Sequence, residues 1–154
     1  MDIIRSRSLI DDVKEIAEAV LYKLDCYSDD ALALVMRTGM AESGYRTLRQ
    51  MGNGPAIGFF QVELETAQDT LDNYVAYRQK LKDKLVGLGL GNDLEFSLLS
   101  NIALQVAFCR LKYRRDKHPI PSWDDIEAQA KYWKRVYNTE LGAGTIEHFI
   151  KANE

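Results

Sequence analysis

Leu9, Val13, Ile16, Val20 and Leu24 recur at steps of three and four, and Ile10, Ala17 and Leu21 widen the same face. That spacing is helical and predicts an amphipathic helix from Ser8 to Tyr27. Ser28-Asp29-Asp30 has the composition of a helix start, and the apolar run from Ala31 carries a second helix to Glu42. Five of the ten glycines then fall between Gly39 and Gly58, with Pro55 among them, which predicts a loop or tight turns. Ile57 to Val62 reads as one or two short strand segments. Helical pattern returns over Glu63–Lys84 and is broken by Gly87-Leu-Gly-Leu-Gly-Asn92. That cluster lacks the strand–turn–helix setting of a nucleotide fingerprint and reads as a loop.

Leu94 to Tyr113 is the most apolar stretch, read as one long helix at the centre of the domain. Its polar residues up to Phe108, namely Ser97, Ser100, Asn101 and Gln105, keep to one stripe, either solvated or turned toward a polar cleft. The basic run Lys112–Lys117 reads as a solvated helix end that complements the dipole. Pro119 and Pro121 interrupt the chain. Ser122-Trp-Asp-Asp-Ile-Glu opens a further helix to Tyr137, and Gly142-Ala-Gly144 precedes a short final one. The fold class is mainly α: a single helical domain, residues 1–154, with at most a small β segment near 57–62.

Composition narrows the function classes. With 154 residues, 46% hydrophobic and 28% charged, the chain suits one domain that buries its own core. A net charge of -3 gives no basic field for nucleic acid. There is no run of roughly 20 apolar residues for a membrane span. The N-terminal Met1-Asp-Ile-Ile-Arg-Ser-Arg-Ser has no apolar signal core, so synthesis in the cytoplasm with delivery by another agent is expected. Cys26 and Cys109 read as two buried thiols, a single disulfide being the alternative. His118 and His148 have no ligand-spaced partners, so neither a metal nor another cofactor is expected. No nucleophile elbow is present.

Candidate chemistry centres on Glu42. A carboxylate at the C-terminal end of a buried helix lies near the negative end of the dipole and is partly desolvated. Both effects favour the protonated form, and a carboxylic acid protonated near neutrality is what general-acid cleavage of a glycosidic bond requires.

Three motifs in order carry a family resemblance. Glu42-Ser43, Gly58-Phe-Phe-Gln61 and Thr66-Ala67 form the first, Asn101-Ile102-Ala103-Leu104 the second, and Tyr137-Asn138 followed by Gly142-Ala-Gly144 the third. The chain resembles the soluble lytic transglycosylases and goose-type lysozymes over roughly residues 31–149. It departs from them at Leu64, where proline is usual, and at Gln105, where glycine is common. Thr139-Glu140-Leu141 also widens the third motif. The resemblance implies an α+β lysozyme-like fold and attack on the β-1,4 bond between N-acetylmuramic acid and N-acetylglucosamine in peptidoglycan.

In such a fold Glu42 is the general acid. Glu63 is the best second carboxylate for a hydrolase, lying on the side of Gln61 if that segment is extended, and Asp69 is a weaker choice. Glu63 has a plainer role open to it as a first-turn helix acid. Ser43, Phe60, Gln61, Tyr137 and Asn138 make up the substrate-binding set. Ser43 orients the loop after Glu42, Gln61 lines the cleft, Tyr137 holds the acid or an N-acetyl group through its hydroxyl, and Asn138 fixes the local backbone. Phe60 and Gln61 point opposite ways in an extended segment, so one of them packs inward. Tyr45, Phe59, Phe60, Trp133 and Tyr137 are the aromatic candidates, as stacking platforms or as core.

The expected partner is therefore peptidoglycan glycan strands, met by a monomer as a lytic transglycosylase or, close behind, a muramidase. A phage endolysin or virion component fits the compact chain. The alternative from another class is a non-enzymatic phage structural or adaptor protein that keeps the scaffold.

Overall fold

The computed structural model describes residues 6–50, 52 and 54–154; Met1-Asp-Ile-Ile-Arg, read above for its lack of a leader, lies outside them. The protein is mainly helical with one two-stranded sheet. Helix α1 spans Leu9–Lys23, and Ser8 caps it: the Ser8 hydroxyl accepts from the Asp11 amide while the Asp11 carboxylate accepts from the Ser8 amide. Helix α2 spans Asp29–Glu42 behind an N-cap at Ser28. Gly39 belongs to this helix rather than to the glycine-rich loop. The Tyr45 ring lies where a Gly39 Cβ would stand, and its hydroxyl donates to the Met36 carbonyl at 2.8 Å.

Strands β1 (Ala56–Ile57) and β2 (Val62–Glu63) pair antiparallel, with Ile57 opposite Val62. Arg49 pairs with Ile57 on the other side of β1. The helical pattern over Glu63–Lys84 resolves into α3 (Leu64–Asn73), a 3-10 turn at Val75–Tyr77, and α4 (Gln79–Gly87). Hydrophobic spacing survives that break because all three pieces press Ala67, Val75 and Leu85 into one core.

The predicted central helix over Leu94–Tyr113 is two helices. α5 (Leu94–Ser100) and α6 (Ile102–Arg114) meet at Asn101 with a bend of 106°. Asn101 adopts extended backbone (φ −117°, ψ 101°), so the α-helical ladder stops there. Its side-chain oxygen accepts from the Leu104 amide at 3.0 Å, and its amide nitrogen donates to the Leu88 carbonyl at 2.8 Å. Periodicity cannot register such a corner when both halves are apolar. The polar stripe divides as well. Ser100 is exposed and bonds back to the Phe96 carbonyl, whereas Gln105 is 1% exposed.

Helix α6 is the core element, burying Leu104 through Cys109, Leu111 and Tyr113, and it touches α1, α2, α3, α5 and β2. Helix α7 (Ile126–Tyr132) runs on into a π-helical turn at Trp133–Asn138, and α8 (Ile146–Ala152) packs on α2 and α7. Cys26 and Cys109 are free thiols; Cys109 is buried but Cys26 is only half-buried, on the connection between α1 and α2. Among the described residues no single helix is long and apolar enough to cross a membrane.

Replacing Asn101 by alanine removes the α6 cap and strands the Leu88 carbonyl, and lowers unfolding stability by about 2 kcal/mol. Urea denaturation checks this, and an unchanged midpoint means that packing alone holds the corner.

Candidate functional site

In the turn between the two strands, Gln61 satisfies the Gly58 carbonyl, but the buried backbone of Phe59 and Phe60 finds its partners elsewhere in the chain. Gly58 (φ 82°) and Gln61 (φ 51°) are both left-handed, and they fold Phe59 and Phe60 into the core at 7% and 0% exposure. Three polar side chains from distant parts of the chain complete this turn. Ser43, at the end of α2, donates its hydroxyl to the Phe59 carbonyl at 2.6 Å. Gln105, on α6, accepts from the Phe59 amide at 3.0 Å. Tyr137, in the π-helical turn, donates to the Phe60 carbonyl at 2.6 Å. A Cβ on Gly58 would meet the Gln105 side chain at 2.8 Å, so glycine is required there twice over, by space and by φ.

This clamp sets the floor of a cleft of about 730 Å³, within the range of ligand pockets. Glu42 and Ser43 come to it from α2, Gln61 and Glu63 from the hairpin, Lys112 from α6 and Tyr137 from the π-helical turn. Asn138 lines it as well, its oxygen accepting from Lys134 Nζ at 2.8 Å, while Lys134 also donates to the Gly142 carbonyl at 3.1 Å. Asn138 is thus joined to the glycine loop through Lys134. The Gln61 side chain donates to the Gly58 carbonyl at 2.9 Å, so it serves the turn and the cleft wall together.

Several expectations are corrected. Phe60 is fully buried and offers no face to a ligand. The Tyr137 hydroxyl is committed to Phe60 and its ring stacks on Tyr113 at 5.1 Å, so it is free to hold neither acid nor sugar. Tyr45, Phe59 and Trp133 are also buried, which leaves no aromatic candidate as an open platform. Asp69 does not line the cleft and pairs with Arg115 at 2.8 Å. Glu63 is exposed on the cleft, but the left-handed Gln61 means that extended alternation does not place it there.

Burial pushes the Glu42 carboxyl up to about 7, against a smaller opposing pull from Lys112. Desolvation is thus the larger influence on this acid. The basic run Lys112–Lys117 predicts Lys112 as the first residue of a solvated helix end. Instead its ammonium donates to the Tyr137 carbonyl at 2.7 Å and lies 4.3 Å from the centre of the Tyr137 ring. Burial lowers its pKa, while Glu42, Cys109 and Glu63 act to raise it. Its signal was present in the chain, because Asn101, Gln105 and Lys112 fall on one face of a helix and the polar stripe continues past Phe108.

His148, on α8, is a second residue that sequence reasoning passed over. Its Nε2 lies 2.7 Å from the Ala41 carbonyl, which can only accept, so that nitrogen carries the proton. It caps the last turn of α2 beside Glu42, and no spacing in the chain announces a contact between residues so far apart. Among the described residues no group of His, Cys, Asp or Glu is arranged to hold a metal ion. Compared with protein families, with curated proteins and with solved structures, the chain matches none.

Two stability measurements check the site. Because the native Glu42 binds its proton more tightly than an unfolded glutamate, at about 7 against 4.5, native stability falls as pH rises between those values. The neutral Glu42→Gln protein escapes that loss and gains about 2 kcal/mol on wild type between pH 4 and pH 8, after allowance for partial solvation. An equal difference at both pH values in urea denaturation contradicts the buried-acid assignment. Tyr137→Phe strands the Phe60 carbonyl and costs about 2 kcal/mol by the same measurement.

Proposed function

We propose that the cleft binds a peptidoglycan glycan strand and cleaves its β-1,4 bond between N-acetylmuramic acid and N-acetylglucosamine, with Glu42 as general acid. One observation carries this: the Glu42 carboxyl, desolvated at the end of α2, opens into a cleft of about 730 Å³ that Gln61, Glu63 and Lys112 also line. A second supports it. The motif segments that suggested a lysozyme-like enzyme, around Glu42-Ser43, Gly58–Gln61 and Tyr137-Asn138, meet at the same turn. On this proposal the chain has a lysozyme-like fold, with the acid at the end of α2 facing a hairpin.

The protonated Glu42 gives its proton to the glycosidic oxygen as the bond to C1 breaks, so that oxygen leaves as an alcohol. Positive charge develops at C1 and the ring oxygen. The C6 hydroxyl of the same sugar attacks C1, and its proton returns to the Glu42 carboxylate, closing a 1,6-anhydro ring. The acid is regenerated and no water is consumed. A single buried carboxyl suffices for this sequence. The exposed Glu63 on the opposite strand is the group a hydrolase would use to orient water. The non-hydrolytic route is therefore preferred. A phage endolysin or a virion component that opens the wall is the setting proposed for it.

Purified peptidoglycan tests the proposal. Cleavage is expected to fall as pH rises through about 7, because the acid must carry its proton. Glu42→Gln is expected to lose about a thousandfold in rate. Mass spectrometry of the wild-type products is expected to show anhydro ends, lighter by one water than reducing ends. Glu63→Gln should leave that chemistry near wild-type rate. If wild type and Glu42→Gln release fragments equally, or neither does at any pH, the enzymatic proposal fails.

A further inference from the structure

The floor of the cleft contains a cation whose position is fixed more firmly than a lysine usually allows. Lys112 projects from α6, the most buried helix, and its ammonium is held twice by Tyr137: by the carbonyl at 2.7 Å and by the ring face at 4.3 Å from its centre. Tyr137 is itself immobilised by its bond to Phe60 and by stacking on Tyr113. Among the described residues Lys112 makes no direct ion pair, yet it shares the cleft floor with Glu42, and Glu63 lies on the cleft wall. A flexible side chain in this setting is a fixed charge.

We propose that Lys112 is a positioning residue for the acid: its pinned ammonium stabilises the Glu42 carboxylate left behind when the proton is delivered, and so sets how readily Glu42 gives that proton up. The catalytic part rests on the proposed glycan cleavage. Burial alone would make Glu42 a poor donor, since the charged product of proton transfer would stand in a poorly solvated place. The ammonium compensates without contact, so no tight ion pair forms that would deprotonate the acid in advance.

The other groups around Glu42 do not duplicate it. On α6, Cys109 and Tyr113 are pushed upward by burial and remain neutral, as does Tyr137 in the π-helical turn. From α8, His148 bonds the Ala41 carbonyl; Arg46 on the loop after α2 and Glu63 on β2 line the cleft. Lys112 pulls the Glu42 carboxyl down against burial, and Glu42 is foremost among the charges that raise Lys112 in return.

The test is carboxyl and lysine NMR on the full chain, which needs no substrate. With 13C at Glu Cδ, the Glu42 midpoint is expected to rise by about one pH unit in Lys112→Met and to stay near wild type in Lys112→Arg. With 13C at Lys Cε, wild-type Lys112 should show an inflection at the Glu42 midpoint, lost in Glu42→Gln; this needs no Lys112 variant and so survives if Lys112→Met fails to fold. With peptidoglycan, the alkaline limb of the pH profile should move up in Lys112→Met while the maximal rate falls about tenfold, and Lys112→Arg should restore both. An unmoved Glu42 midpoint in folded Lys112→Met, or a Lys112 signal blind to Glu42, overturns the proposal. Coupling without glycan cleavage would sink the enzymatic reading alone, and cleavage without coupling would sink the role of Lys112 alone.

Discussion

The structure depends on how the backbone of Phe59 and Phe60 is satisfied. A tight turn buried in a helical core leaves amides and carbonyls without ladder partners, and each unpaired group costs on the order of 1–3 kcal/mol. Ser43, Gln105 and Tyr137 supply those partners from α2, α6 and the π-helical turn. The same three bonds hold these elements at fixed distances around the hairpin. A cleft wall and a cleft floor are thereby set by one small network. The side chains in it are spent on architecture, which is why Tyr137 and Ser43 border the cleft without offering their hydroxyls to it.

Around that network the electrostatics follow from burial. Glu42 ends α2 where the chain turns away, so its carboxyl is desolvated but still opens to the cleft. Such a group costs stability when charged, because its carboxylate stands in a poorly solvated place. Lys112 offsets part of it from a position defined by Tyr137. His148 adds a donor at the last turn of α2, where the carbonyls of a helix end need partners. Three helices thus converge on the end of a fourth, and the acid lies where they meet.

Much of the local structure was legible because it is decided within a few residues. Ser8 and Ser28 announce the starts of α1 and α2 through caps whose partners lie three positions on. Glycine and proline mark the loops, and Glu42 stands out as an acid closing an apolar helix. The corner at Asn101 was not legible, because its amide is satisfied by Leu88, a partner outside the helix that only folding provides. Lys112 shares a polar face with Asn101 and Gln105 in the sequence, but its burial is not legible, for a related reason. A lysine near a helix end is usually solvated, and nothing local says that Tyr137 will cover it.

The sequence by itself determined the helical class, where most helices start, a short strand segment after the glycine-rich loop, and an acid at position 42. These are matters of period, capping and composition, all of short range. Tertiary structure decided that Phe60 belongs to the core, that the Tyr137 hydroxyl serves a carbonyl, and that Lys112 and His148 join Glu42. The physical reason is the same throughout. A polar group in a buried place takes whichever partner the packing brings within 3 Å, and that partner is chosen by the meeting of helices rather than by neighbours along the chain.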